Sequence, residues 1–257
     1  MLIGSSLKMY FGRARTLEWT RAVASICAEH PAVRQGLVEP FVIPSFPSIA
    51  DVVAAIDDAG ATDAGMLVGA QDLHWEDAGA FTGEVSAPEL AEHGVTLAEI
   101  GHAERRRMFG ETDATVALKV AAALRHGIAP VLCIGEEARG DHDAAAAACV
   151  AQLDASVGLA IEQGLTSRLV VAYEPVWAIG APEPAGDEHI RAIGTALRTH
   201  LAGLPFDAQV IYGGSAGPGL LPRIADSVDG MFLGRFAHDP EAFRAILDEA
   251  LALEEER

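Results

Sequence analysis

The sequence predicts an α/β protein folded as one domain, a closed (β/α)8 barrel over residues 1–257. Three observations lead there. Eight short apolar runs recur at a mean spacing of roughly thirty residues. Alanine- and leucine-rich amphipathic stretches fill the intervals, as βαβ units require. Glycine then stands where several of those stretches end, able to supply left-handed caps. Eight such units in 257 residues favour the closed barrel, although the spacing alone also allows an open doubly wound sheet. No Gly-x-Gly-x-x-Gly follows a strand and opens a helix, so a dinucleotide site has no support.

In chain order, strands are expected at Leu2–Leu7, Glu39–Ile43, Gly65–Ala70, Leu97–Gly101, Ile128–Ile134, Arg168–Tyr173, Ala208–Tyr212 and Gly230–Leu233. Helices are expected at Thr16–His30, Ser48–Ala59, Asp113–His126, Asp143–Gln163 and Asp187–Leu201. Gly60, Gly94, Gly127 and Gly164 each close a helix before the next strand. Ser86 and Glu89 read as a capping box, and Asp239 as an N-cap followed by proline at the first helical position. The acidic run Glu254–Arg257 reads as a frayed helix end.

Composition narrows the function. A formal charge of -19 repels polyanions, which argues against nucleic acid or an anionic membrane as partner. No basic region precedes a long apolar run, and no window is expected to reach spanning length. Cys27, Cys133 and Cys149 are odd in number, far apart and without metal-type spacing, so reduced thiols in a cytoplasm are expected, and no metal. Lysine occurs only at Lys8 and Lys119.

In a barrel the loops after the strands share the face that carries chemistry. Lys8 follows the first strand, His102 the fourth, Glu174 the sixth, Gly213, Gly214 and Ser215 the seventh, Gly234 and Arg235 the eighth. Pro175 ends the ladder directly after Glu174, and a loop with Trp177, Gly180, Pro182 and Pro184 follows, composed like a rigid tip between two hinges. Singly, each residue has a bland reading as a solvated glutamate, a surface histidine or a plain turn. Together they supply a general base, a hydrogen-bond donor, a fixed cation and bare amides for a phosphate. That equipment suits proton transfer between carbons beside a carbonyl, on a phosphorylated substrate.

The segments YEPVWAIG at 173–180, IGHAERR at 100–106, YGGS at 212–215, GAFTGE at 79–84 and LKM at 7–9 resemble the signatures of triosephosphate isomerase, in the family's order along the whole chain. The resemblance implies a TIM barrel enzyme without a cofactor, acting on a small phosphorylated sugar. Glu174 would be the base, His102 a neutral electrophile at a helix amino terminus, and Lys8 the cation beside a developing enediolate; this family is the standard illustration of such tuning. Gly180, Gly214, Ser215, Gly234 and Arg235 would meet the phosphate, Ser6 would lie near the carbon chain, and Glu104 would pair with Lys8 or nearby arginines. Arg105 and Arg106 read as ion pairs at the barrel rim, and Cys133 as a packed core thiol. The loop 71–84 resembles one that inserts into a neighbouring subunit, so Trp75, Phe81 and Thr82 are expected at a homodimer interface.

The chain departs from the family's pattern in four places. Ser6 replaces an asparagine, leaving space. Ala103 replaces a serine that would hold the resting base. Residues 180–185 carry two prolines at the lid tip and second hinge. Arg235 replaces a glycine, its side chain either entering the site or pointing outward. Three functions follow: interconversion of dihydroxyacetone phosphate and glyceraldehyde 3-phosphate, as in glycolysis and gluconeogenesis; the same chemistry on an erythrulose phosphate in polyol breakdown; and sugar-phosphate binding without turnover. The first is the leading reading, and Ser6 with Arg235 favours the second.

Overall fold

The computed structural model describes residues 1–255, in which eight parallel strands close into a barrel. The strands are β1 (Leu2–Ser6), β2 (Glu39–Ile43), β3 (Leu67–Ala70), β4 (Leu97–Ile100), β5 (Ala129–Ile134), β6 (Arg168–Tyr173), β7 (Asp207–Tyr212) and β8 (Gly230–Leu233). They pair in chain order, and β8 returns to β1. Around them run α1 (Arg13–Glu29), α2 (Pro31–Arg34), α3 (Ile49–Asp58), α4 (Ala87–Glu92), α5 (Ala103–Phe109), α6 (Asp113–Arg125), α7 (His142–Glu162), α8 (Asp187–Leu201), α9 (Leu221–Ile224) and α10 (Pro240–Glu255). Every expected strand is present, and the first helix begins earlier than expected, at Arg13.

Two cores explain the apolar strands. Leu2, Phe41, Leu97, Val131, Val170, Ile211 and Phe232 point inward and fill the barrel. Their outward neighbours, among them Ile3, Val42, Val171 and Met231, pack beneath the helices. The interior admits the Phe41 and Phe232 rings, with centroids 5.7 Å apart, because β1 contributes glycine beside Phe41, while a glycine of β8 lets that strand approach the β1 backbone. A Cβ on Gly4 would stand 2.2 Å from the Phe41 ring, and one on Gly230 1.8 Å from the Leu2 carbonyl. Emptying this layer by truncating Phe41 to alanine would cost about 3–5 kcal/mol.

The punctuation falls as expected. Gly60, Gly94, Gly127 and Gly164 have φ of 70°, 79°, 73° and 69°. The Ser86 hydroxyl accepts the Glu89 N–H, one half of the expected capping box, and Asp239 accepts the Glu241 N–H. Glu254 and Glu255 end α10; Glu256 and Arg257 of the expected frayed end lie outside the described residues.

One expectation needs correction. α7, with 21 residues and mean hydropathy 1.6, is long and apolar enough to cross a membrane by length and composition. Its hydropathy comes from Val150, Leu153, Val157, Leu159 and Ile161 together with the alanine run at 144–148, and its buried face, including Cys149, Leu153 and Val157, packs in the barrel's outer layer between α6 and α8.

Candidate active site

The carboxyl ends of the strands surround an open cavity of about 1310 Å³ lined by Ser6, Lys8, Glu174, Gly213, Ser215, Gly234 and Arg235 among others. Lys8 follows β1 with φ 46°, a left-handed backbone that few side chains adopt. Its Nζ lies 3.1 Å from Glu104 Oε1 and 3.1 Å from His102 Nε2. Burial pulls the Lys8 ammonium down, but Glu174, Glu99 and Glu104 outweigh it and leave its pKa raised, so the cation is secure.

His102 caps α5, its Nδ1 accepting the Glu104 N–H at 3.1 Å. Burial, then the Lys8 charge, lowers its pKa to about 4, so the ring is neutral. With Nδ1 accepting, the single ring hydrogen resides on Nε2. Lys8 Nζ and His102 Nε2 are then both donors facing the same space, and a substrate oxygen there would satisfy both. Glu174 Oε2 lies 3.4 Å from Nε2 and has no hydrogen-bond partner among the described residues. Burial raises the Glu174 carboxyl to about 8, with Lys8 opposing and Glu99 reinforcing. The three groups expected to act together therefore converge.

The loop after β6 is docked over this centre. Trp177 Nε1 donates to Glu136 Oε1 at 2.8 Å, and the Arg139 guanidinium stands 4.3 Å from the indole centroid. Ser215 Oγ lies 2.8 Å from the Ala178 carbonyl and 3.0 Å from that of Ala181. At the second hinge, the Ala185 N–H donates to Tyr212 Oη at 3.0 Å. Arg235 Nη2 donates to the Gly180 carbonyl at 3.2 Å, so its side chain spans the cavity mouth instead of pointing outward.

Residues 1–250 match the triosephosphate isomerase family. The chain belongs to that family. It is 53% identical to an L-erythrulose-1-phosphate isomerase of Pectobacterium atrosepticum, over 98% of this chain and 96% of the relative. A protein of the same description from Mesorhizobium japonicum is 38% identical, over 97% of each chain. A triosephosphate isomerase of Synechococcus sp. is 39% identical, over 98% of each chain.

Against the family's pattern, two further departures, Ala103 and Ser6, have physical consequences. Ala103 offers no hydroxyl, in keeping with the unpartnered Glu174 Oε2. The space expected beside Ser6 is not empty: Ser6 Oγ donates to Glu99 Oε2 at 2.7 Å. Glu99, the inward residue of β4, is buried, and burial lifts its carboxyl to about 7 while Lys8 and Ser6 pull it down. Sequence reasoning missed it, though a lone carboxylate inside the run Leu97–Ile100 was a signal. It also missed Glu136, which holds Trp177, the Tyr173 hydroxyl and His189 at the first lid hinge.

Other expected residues divide. Gly213 rather than Gly214 lines the cavity; a Cβ on Gly213 would sit 2.5 Å from Glu174 Oε1, while Gly214 packs against Tyr212 and Pro175. Gly180, Ser215, Gly234 and Arg235 line the cavity wall. Arg105 pairs with Asp72 and Glu111, and Arg106 with Asp113, as rim ion pairs. Cys133 is a buried thiol whose pKa burial drives well up. In the loop 71–84, Trp75 stacks on His74 with centroids 4.2 Å apart, Phe81 leans on the same ring at 42% exposure, and Thr82 is exposed.

Proposed function

We propose that this protein isomerises a four-carbon keto-sugar 1-phosphate of the erythrulose type. The observation that carries the substrate is the 53% identity with the Pectobacterium L-erythrulose-1-phosphate isomerase along nearly the whole chain. The triose-phosphate substrate expected from the motifs takes second place. It is favoured by the similarity to the Synechococcus triosephosphate isomerase and by a trio that serves either chain length. Binding without turnover is disfavoured, because a buried carboxylate with one oxygen left without a hydrogen bond is costly unless it does chemistry.

The mechanism follows from the geometry. Glu174 takes the proton from the carbon beside the carbonyl, on the side away from the phosphate, leaving an enediolate. Lys8 stabilises the growing oxygen charge in a low-dielectric site. The Nε2–H of neutral His102 donates to one oxygen and the ring moves a proton to the other. Glu174 then returns its proton to the former carbonyl carbon. With dihydroxyacetone phosphate this gives an aldehyde. With erythrulose 1-phosphate the abstraction carbon also bears a hydroxymethyl group, so the ketone shifts by one carbon and the product is a second ketose phosphate. Amides of Gly180, Ser215, Gly234 and Arg235 are the proposed phosphate contacts, with the Arg235 guanidinium beside them. A homodimer formed through the loop 71–84, and a reducing cytoplasm suited to three buried free thiols, belong to the same reading.

Solvent deuterium exchange into each substrate tests the proposal. Exchange into erythrulose 1-phosphate faster than into dihydroxyacetone phosphate supports it. Exchange only into the triose phosphate would restore the second reading, and none into either would leave a binding protein.

A further inference from the structure

The barrel gives a bound substrate a direction. The loops after β7 and β8 hold Ser215, Gly234 and Arg235 at the cavity wall, and these are the proposed phosphate contacts. In a closed ring of eight strands taken in chain order, β3 and β4 lie across from β7 and β8. The end of the substrate farthest from its phosphate therefore points towards β3 and β4, and the inward residue of β4 nearest its carboxyl end is Glu99. Ser6, on β1, reaches that carboxylate at 2.7 Å although β1 and β4 are not neighbours in the sheet.

The proton transfer does not use this pair. Glu174, His102 and Lys8 complete it, while Glu99 Oε1 stands 3.9 Å from His102 Nε2, beyond hydrogen-bond reach. Other inward positions of the barrel, Phe41, Leu97, Val131 and Ile211, are apolar. A buried carboxylate among them carries a desolvation penalty that an apolar side chain would avoid. Ser6 lines the cavity, and its one hydroxyl hydrogen is committed to Glu99. Its oxygen lone pairs remain available to a donor in the cavity. Burial lifts Glu99 to about 7, and both of its protonation states can accept from Ser6.

We propose that Ser6 and Glu99 form a subsite for the terminal hydroxymethyl group of a four-carbon substrate, Ser6 Oγ accepting from that hydroxyl and Glu99 fixing the serine's orientation. The proposal rests on the four-carbon reading above. A three-carbon chain ends one carbon short and leaves the Ser6 oxygen without a donor. Ser6 is then the contact that reads length, and Glu99 acts through it as a positioning residue.

The test compares two unreactive ligands, erythritol 4-phosphate and glycerol 3-phosphate, by calorimetry on the intact protein. The unmodified protein is expected to favour the four-carbon ligand. Ser6→Ala and Glu99→Leu should each reduce that preference by roughly tenfold. The double variant should lose no more than either single, since both break one hydrogen-bond chain. Glu99→Gln, which keeps an acceptor for Ser6, should retain most of the preference, a rescue that mere packing would not produce. Should Glu99→Leu fail to fold, Ser6→Ala and Glu99→Gln carry the test. A preference that survives Ser6→Ala, that never exists in the unmodified protein, or that falls additively in the double variant would overturn the subsite. Turnover of erythrulose 1-phosphate is measured on the same preparation. Its absence would overturn the functional reading, whereas normal turnover with an unshifted preference would overturn the subsite alone.

Discussion

Replacing Glu174 with glutamine asks whether the base is held desolvated before any substrate arrives. Burial lifts this carboxyl from 4.5 to about 8. Between those values the folded chain keeps a proton that the unfolded chain has already released. Folding is therefore weakened as pH rises through that window, and the weakening is complete above about pH 8. A gap of about 3.5 pH units, at about 1.36 kcal/mol each, sets a ceiling of roughly 5 kcal/mol. Lid opening rehydrates the carboxylate more cheaply than unfolding does, so the measured cost should fall below the ceiling, and the shortfall measures lid closure. Glutamine carries no such titration, and losing the Glu174 charge also relieves Glu99. Denaturant midpoints for both proteins at about pH 5 and about pH 9, at one protein concentration, provide the assay. The variant is expected to gain stability relative to the parent on going to the higher pH. A difference between the two proteins that is identical at both pH values would refute the reasoning, because no ionisation cost would then reside at Glu174.

Gly213→Ala would set a methyl group 2.5 Å from Glu174 Oε1, displacing the base; a hundredfold loss in kcat, on the order expected for misorientation, with a small shift in unfolding midpoint is expected, and an unchanged kcat would show that the carboxylate tolerates movement. Arg235→Ala removes the exposed hydrogen bond to the Gly180 carbonyl, about 0.5–1.5 kcal/mol of lid closure, and steady-state kinetics should show KM rising about three- to tenfold; a KM that stays put would end the role of Arg235 at the lid. Thr82→Arg places a charge on the exposed loop tip, and dimerisation and activity should fall together; an active monomer on a sizing column would contradict a site completed across the interface.

Most of the strands were legible because they are largely apolar on two faces, one towards the barrel centre and one towards the helices, and a short apolar run bounded by turn residues has few other uses. Glu174, His102 and Lys8 were legible for a related reason. Polar groups directly after an apolar strand stand out against the run before them, so their position in the cadence already marks them, although their burial and their mutual contacts are set by the fold. Gly213 could be read as a turn, but the approach of the Glu174 carboxylate that requires glycine there is a contact across the sheet.

The sequence by itself determined the order of strands and helices, the family, and the types of group available for proton transfer, because these depend on local pattern and motif. Only the tertiary structure decided that Ser6 faces a buried carboxylate from the far side of the barrel, that Arg235 turns inward to the lid, and that Glu136 anchors Trp177. Ser6 and Glu99 are 93 positions apart, and Arg235 and Gly180 are 55 apart. Neither pair leaves a periodic trace in the chain. Their meeting is fixed by barrel closure, which brings strands distant in sequence to one small floor where burial, and not local propensity, sets the chemistry.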